Sequence, residues 1–262
     1  EGCTTTAIPN TVKTISAHAM RGNDMTSLTI PDAVDSIGTN AFSSCYKLKT
    51  LTVGKGVRKI GGLAFEYCFN LQDIIVSTSN PYFDSRNNCK GIIEKSTNTL
   101  RVACGKTVIP QNVKTIGQYA YTTMESGTVQ TFTIPSHIET IEYGAFDWLP
   151  LRSVTIGKNV KSIGSNAFYC SSLRVVRSLV DFPSEINNYA FHDDVYENGT
   201  LYVPIGTTAN YKATAGWNKF KNIKEVADGT IIDDDVVSTN TTEGVQLYFQ
   251  VTSAAAKTCE VV

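Results

Sequence analysis

The chain has almost no excess charge and no long apolar run. Its 262 residues include 23 basic and 24 acidic side chains, which gives a net charge of −1. A protein that binds nucleic acid or an anionic membrane surface usually carries a basic excess, so this balance argues against both partners. A membrane-spanning helix needs about 18 or more continuous apolar residues, and the sequence contains no such run. We expect no membrane insertion.

Residues with catalytic or metal-binding chemistry are also scarce. The 3 histidines, His18, His137 and His192, lie too far apart in the repeat described below to converge. The 7 cysteines include no Cys-x-x-Cys pair, which is the spacing typical of zinc ligands. The nucleophile-elbow, P-loop and dinucleotide-binding motifs do not occur either. We therefore predict no enzyme activity, no metal and no cofactor.

What the sequence does have is a repeat of 22 to 25 residues. Each clear copy reads Ile, three variable residues, Ala and an aromatic residue. The copies begin at Ile37, Ile60, Ile116, Ile141, Ile163 and Ile186. A fixed period with a fixed apolar pattern is typical of a solenoid, in which each coil buries its apolar side only against its neighbours.

A single coil predicts the local structure. Residues 50–53 alternate between polar and apolar, which is the period of a β-strand, and Gly54 ends that strand. Ala64, Phe65 and Cys68 then follow at the spacing of a short helical turn that faces the core. The end of the strand recurs at Ile8, Ile30, Val53, Val76, Ile109, Ile134, Ile156, Ser178 and Val203. These positions predict about nine coils.

The gap of 33 residues between Val76 and Ile109 breaks the period. Residues 91–94 and 100–103 flank a polar turn there, which is typical of a β-hairpin. This coil has no Ala-aromatic step, so we predict that a hairpin replaces its helical leg. Cys89 and Cys104 flank the hairpin, and two interpretations stay open: a cross-strand disulfide or two separate core thiols.

Three other cysteines follow the Ala-aromatic step closely, at Cys45, Cys68 and Cys170. Met124 and Leu149 take the same place in other coils. Because apolar residues substitute for cysteine there, we interpret these cysteines as buried thiols that act as small hydrophobic side chains.

Several of these motifs resemble the BspA-type leucine-rich repeats of bacterial surface proteins. The matching segments are the leucine-rich strand at 48–54, the Ile-Gly-x-x-Ala-Phe turns, the Asn-Pro-Tyr-Phe-Asp-Ser run at 80–85, and the closing unit at about 201–226. The resemblance implies an α/β repeat solenoid, a right-handed superhelix. Its parallel strands would line the concave face, and short helical turns or hairpins would form the other leg.

The resemblance also implies a function. We expect a secreted or cell-surface protein that binds host matrix proteins, other cells or glycans, and that is a monomer. The alternative is a spacer that binds nothing and displays other domains. An adhesin of this kind would use protein or glycan ligands and no nucleic acid.

Domain boundaries follow from changes in the pattern. We assign residues 1–227 to the solenoid, with a C-terminal cap at about 201–226. Residues 2–9 align with 103–110, so we expect the chain to start in the second half of a hairpin coil, truncated within a repeat. Residues 228–262 read as an acidic linker followed by a strand or hairpin, which either packs back on the solenoid or begins another module.

The candidate binding surface is the outward side of the strands, because solenoids bind ligands along their strand face. The predicted residues are Thr29, Thr50, Thr52, Thr131, Thr133, Ser153, Thr155 and Tyr202. Their hydroxyl groups would form a strip that hydrogen-bonds a protein or a glycan. The competing interpretation is that threonine is simply a good strand former on a solvated sheet.

Overall fold

The computed structural model describes residues 7–124 and 130–227. These residues form a parallel-strand β-solenoid of about nine turns. The chain divides into two compact units, Glu1–Ile231 and Ile232–Val262, and every described residue belongs to the first. The predicted linker and terminal strand at 228–262 lie outside the described residues.

Most elements of the described chain are short strands. In chain order they are β1 (Thr14–Ile15), β2 (Ser27–Ile30), β3 (Ser36–Ile37), β4 (Thr50–Val53), β5 (Lys59–Ile60), β6 (Asp73–Val76), β7 (Phe83–Asp84), β8 (Ile92–Glu94), β9 (Thr99–Val102), β10 (Thr115–Ile116), β11 (Thr131–Thr133), β12 (Thr140–Ile141), β13 (Ser153–Ile156), β14 (Ser162–Ile163), β15 (Val175–Ser178), β16 (Thr200–Pro204) and β17 (Asn222–Val226). The helices are α1 (Asp193–Asn198) and α2 (Thr208–Ala213), with 3-10 turns at Arg86–Asn88 and Trp217–Lys219.

The strands stack into two legs. The longer strands form parallel sheets in the orders β2-β4-β6 and β11-β13-β15-β16-β17. The two-residue strands and the hairpin strands form the return leg, in the orders β1-β3-β5 and β14-β12-β10-β9-β8-β7. Parallel neighbours pair in register, for example Thr29 with Thr52, so equivalent repeat positions lie side by side. The predicted parallel strands are confirmed, whereas the right-handed twist and concave curvature stay predictions.

The segment after each return strand differs from the expected helical turn. It consists of hydrogen-bonded turns in which the residue just before the repeat alanine is left-handed, as at Asn40 with φ 55° and Asn166 with φ 54°. A left-handed residue cannot continue a right-handed helix. The Phe42 N–H instead donates to the Ala64 carbonyl of the next coil at 2.8 Å. The turns therefore stack on each other by backbone hydrogen bonds, as the strands do.

Glycine after the repeat isoleucine permits this close stacking. A Cβ atom at Gly61 would lie 2.4 Å from the backbone nitrogen of Thr39 in the preceding coil. That separation is too short for any side chain, so the adjoining turns can approach this closely only with glycine at Gly61.

The repeat aromatic residues stack along the core. Ring centroids lie 4.7 Å apart for Tyr121 and Phe146, 5.1 Å for Phe146 and Phe168, and 5.2 Å for Phe168 and Phe191. The rings are within 14° of parallel. The repeat alanines lie beside them and are buried. The predicted inward positions are thus confirmed, although the backbone that carries them is not helical.

The hairpin of β8 and β9 divides this core in two. Ile93, Leu100 and Ala103 pack with the C-terminal coils, while Ile92 and Val102 pack with the N-terminal coils. Ile92 and Ile93 are successive residues of β8 and point to opposite faces. The register of the hairpin shifts between them, with Ile92 opposite Val102 and Ile93 opposite Leu100, so the residues of β9 also reach both cores. The predicted hairpin is confirmed.

Within its coil, the hairpin takes over the return leg. β9 pairs in parallel with β10, with Thr99 opposite Thr115. The coil contributes no strand to the sheets of longer strands. Ile109, which we expected at a strand end, lies in no strand; Ile8 lies in none either, and Ile134 comes just after β11. The hairpin coil contributes no turn either. The Tyr67 N–H of the coil before it therefore donates directly to the Thr122 carbonyl of the coil after it, at 2.9 Å.

The buried cysteines are free thiols, as predicted for the repeat positions. Cys68 and Cys170 lie 3.2 and 3.1 Å from the carbonyl oxygens of Phe42 and Phe146 in the preceding coils, where their S–H groups donate. Cys89 and Cys104 are also unlinked, and they pack into the two different cores. Burial raises the pKa of both of these thiols, which keeps them protonated and poorly nucleophilic.

Aromatic side chains close the C-terminal end. Phe220 packs against Phe191 with ring centroids 5.2 Å apart, and Tyr211 packs against Trp217 at 5.3 Å. β17 adds a final parallel strand beside β16. These residues cover the last repeat ring, as a capping unit must.

Asn80, the first residue of the Asn-Pro-Tyr-Phe-Asp-Ser run, joins the hairpin to the preceding coil. Its side chain is buried and donates to the carbonyls of Gly54 and Val57 at 2.9 and 3.0 Å. The same side chain accepts from the N–H groups of Tyr82 and Phe83 at 2.8 and 2.9 Å. One amide therefore satisfies four backbone groups.

We expect Asn80→Ala to destabilise the fold by about 3 kcal/mol, because it leaves buried backbone groups without partners. Chemical denaturation of the purified chain measures this change. The matched control is Asn70→Ala, which removes a single exposed hydrogen bond to the Tyr46 carbonyl. Equal effects of the two variants would show that Asn80 has no special role.

We expect Phe168→Ala to cost about 3–5 kcal/mol, because it opens a cavity in the aromatic stack. Phe182→Ala is the control, since Phe182 is 85% exposed. An unchanged denaturation curve for Phe168→Ala would mean that the stack contributes little to stability.

Candidate functional site

All of the predicted strip residues lie on the outward side of the longer strands. Thr29, Thr50, Thr131 and Thr133 are exposed, and Thr52, Ser153, Thr155 and Tyr202 are half-buried. Register places hydroxyl groups side by side, as for Thr131 with Ser153 and Thr133 with Thr155. Threonine is common in strands whether or not they bind a ligand. The position of these residues therefore does not test their binding role, which stays a prediction.

The strip is not continuous. Because the hairpin coil supplies no long strand, the hydroxyl groups fall into two patches on separate sheets. We define the N-terminal patch as the outward residues of β2, β4 and β6, and the C-terminal patch as those of β11, β13, β15, β16 and β17. The predicted strip residues therefore lie on two separate sheets, and their role in binding stays a prediction.

Each patch contains a residue that the hydroxyl pattern missed. Ile75 is 55% exposed and lies in register with Thr52. Arg177 lies between Thr155 and Tyr202. Both occupy the outward slot of their strands, so the period-two alternation would have found them. The N-terminal patch thus presents an apolar side chain, and the C-terminal patch a cation beside a phenol.

A different concavity lies on the turn side of the solenoid. The hairpin coil has no turn, and a groove of about 260 Å³ opens where that turn would be. We call it the turn notch. Its lining includes Glu66, Tyr67, Phe69, Tyr119, Asp147 and Trp148. The first three belong to the coil before the hairpin, and the others belong to the coils after it.

The turn notch holds two carboxyl groups in an unfavourable environment. Burial raises the pKa of Asp147 to about 6, against the opposing effect of a hydrogen bond from the Trp148 backbone N–H and with a smaller contribution from the charge of Glu66. Burial also raises the pKa of Glu66, and the rise is partly offset by a hydrogen bond from the Tyr67 hydroxyl and then by the charge of Arg21. The Oδ1 atom of Asp147 is buried and accepts no hydrogen bond from the described residues. No lysine or arginine of the described chain lines the groove.

Aromatic rings form the walls of the notch. The ring of Tyr67 lies 5.6 Å from that of Phe69. Trp148 is 72% exposed and lies 6.1 Å from Tyr169. Tyr119 contacts Tyr143 edge to face at 5.3 Å. An exposed tryptophan beside carboxyl groups is unusual on a solvated surface, since large aromatic side chains are usually buried.

Residues 7–124 and 130–227 contain neither a metal-binding cluster nor a membrane-spanning helix. No group of three or more His, Cys, Asp or Glu side chains is placed to hold a metal ion. Among the same residues, none of the helices has the length and apolar character needed to cross a bilayer.

Comparison with known families identifies the repeat. Six copies of the BspA type leucine rich repeat region match residues 1–92 and 93–208. The chain belongs to this family. Among curated proteins, none matches the chain significantly.

Solved structures support the fold. A leucine-rich repeat protein from Eubacterium ventriosum is 23% identical with a TM-score of 0.57, over 81% of this chain and 57% of its own. A leucine rich cell surface protein from Faecalibacterium prausnitzii is 20% identical with a TM-score of 0.51, over 78% and 61%. The chain thus spans about six tenths of the length of these relatives. At this identity the likeness concerns the fold alone.

The raised pKa of Asp147 predicts a pH effect on stability. A carboxyl group whose pKa is higher in the folded state favours folding when protonated, so its contribution falls as pH rises from about 4 to about 6. We expect Asp147→Asn to stabilise the fold at pH 7.5 and to have little effect at pH 4. The gain should stay within about 1 kcal/mol, because solvent screens a partly exposed group.

Thermal unfolding at both pH values tests this expectation. Glu139→Gln is the control with the opposite sign, because the Lys161 side chain, with a smaller effect from Lys114, lowers the pKa of Glu139. That variant should lose stability at pH 7.5. A loss of stability in Asp147→Asn at pH 7.5 would contradict the assigned environment of Asp147.

Proposed function

We propose that this chain is the recognition part of a bacterial cell-surface or secreted protein, and that it binds protein or glycan ligands through the two outward patches of its longer strands. Membership of the BspA-type family supports a role in surface interactions. The name of the Faecalibacterium prausnitzii relative describes that protein as a cell surface protein. The likeness to it supports the same location for this chain.

The observation that carries the proposal is the composition of the patches. The N-terminal patch places Thr29 and Thr52 beside the exposed Ile75. The C-terminal patch places Thr155, Arg177 and Tyr202 in one row across neighbouring strands. Hydroxyl, guanidinium and phenol groups on a rigid sheet can hydrogen-bond a ligand with little loss of side-chain entropy. Tyrosine and arginine are also enriched at binding hot spots.

The alternative is a spacer that holds other domains away from a surface. Outside the patches, ion pairs link neighbouring coils, as where Glu139 lies between Lys114 and Lys161. Such pairs keep the surface of the solenoid soluble without binding a ligand. A spacer needs only such solvation. It predicts that charges introduced on the patches change nothing except stability.

Solid-phase binding of the full chain to a panel of matrix proteins and glycans tests the proposal. Thr52→Glu places a charge on the N-terminal patch, and Thr155→Glu places one on the C-terminal patch. Because the patches lie on separate sheets, the single variants report which of them binds. Thr11→Glu and Ser172→Glu are controls, since they add the same charge at exposed positions outside both patches.

We expect saturable binding that one patch variant reduces at least about tenfold, while the controls keep it. A tenfold loss corresponds to about 1.4 kcal/mol, a typical effect at an interface hot spot. Binding that survives both patch variants would move the site elsewhere. The absence of binding to the whole panel would favour the spacer.

A further inference from the structure

The turn notch exists because one coil gives up its turn. Elsewhere the turns pack directly, as when the Phe146 N–H donates to the Ala167 carbonyl at 2.9 Å. At the hairpin coil, the Tyr67 N–H donates to the Thr122 carbonyl and the Ala103 N–H donates to the Ala120 carbonyl, and the groove remains beside these bonds. Its shape is therefore set by rigid, hydrogen-bonded turns on both sides, which is what a preformed site requires.

One carboxyl oxygen in the notch, Oδ1 of Asp147, has no hydrogen-bond donor among the described residues, whereas Glu66 accepts from the Tyr67 hydroxyl. The two carboxyl groups share a partly dry groove. The two charges act on each other, since Glu66 raises the pKa of Asp147. A charged group in such surroundings costs free energy unless a counter-charge or a hydrogen-bond donor joins it.

The walls indicate what kind of cation fits. Tyr67, Phe69, Tyr119 and Trp148 line the same groove as the two carboxyl groups. The faces of aromatic rings attract ammonium and guanidinium cations, and the interaction is strongest with tryptophan. A metal ion would instead require several oxygen or nitrogen ligands, and the described residues offer no such group. The combination of carboxylates and aromatic faces therefore selects organic cations.

We propose that the turn notch is a binding site for an organic cation, an ammonium group carried either by a lysine side chain of a partner polypeptide or by a small quaternary amine. Glu66 and Asp147 supply the charge, and Trp148 and Tyr67 supply the aromatic faces. The site is separate from the strand patches and does not depend on their function. A groove of about 260 Å³ is large enough for one such group and its stem.

Calorimetric titration of the full chain at pH 7.5 tests the proposal. Tetramethylammonium represents the quaternary amine, and tert-butanol is its neutral counterpart of similar shape. Nα-acetyl-lysine amide represents the lysine side chain, and its Nε-acetylated form is the neutral counterpart. Sodium chloride holds the ionic strength constant. Intrinsic fluorescence gives a second readout, because Trp148 is exposed and Trp217 is buried.

We expect millimolar binding of at least one cation and none of its neutral counterpart. Asp147→Asn and Glu66→Gln should each weaken binding about fivefold or more, because each removes one charge, and Trp148→Leu should weaken it as well. Asp193→Asn is the control, since its side chain is 84% exposed and it does not line the notch.

Stability separates a binding role from a structural one. If Asp147→Asn keeps or gains thermal stability and still loses cation binding, Asp147 is a ligand-binding residue. Binding of only one of the two cations would support the site and name the source of the ammonium group. Binding of neither cation, or equal binding by Asp147→Asn and the unaltered chain, would overturn the proposal.

Discussion

The structure depends on hydrogen bonds between neighbouring coils. A coil of 22 to 25 residues is too small to enclose a core, so each coil must satisfy the backbone of the next one on every leg. The longer strands do this in parallel register, as for Val154 with Val176, and the turns do it through bonds such as Phe168 N–H to the Ala190 carbonyl at 2.8 Å. The aromatic stack follows from this constraint, because coils held in register bring the same ring to the same place. Both the stability and the shape of the solenoid therefore depend on the backbone hydrogen bonds between coils.

The hairpin coil is the exception that gives the molecule its distinct surfaces. Its β9 strand continues the short-strand leg beside β10, but it leaves the long-strand leg and the turn leg without a layer. The same insertion therefore divides the outward hydroxyl groups into two patches and opens the turn notch. Asn80 ties the insertion to the preceding coil, since its buried amide donates to the Gly54 carbonyl and accepts from the Tyr82 N–H.

Local periodicity could predict much of this fold, and non-local pairing could not be predicted from it. The inward positions of Phe65 and Phe168 and the buried thiol of Cys68 follow from the repeat alone. The spacing of Ala64, Phe65 and Cys68 also fits a helical turn, so the left-handed residue before the alanine, which changes the backbone path, was not predicted. Glu66 and Asp147 lie in different repeats, and only the missing turn brings them to one groove. No pattern within a single coil signals such a site.

Evolution of a repeat protein favours uniform coils, because every deviation weakens two interfaces. The turn notch runs against this tendency in three ways: it omits a turn, it exposes Trp148, and it places carboxyl groups where burial raises their pKa. Each of these features costs stability and none is needed to continue the solenoid. Ionisable groups whose pKa values are shifted by burial and by neighbouring charges are concentrated at functional sites. The threonine patches carry no such cost, since threonine suits a strand whether or not it binds anything. The physical argument for a binding role is therefore stronger at the notch than along the strands.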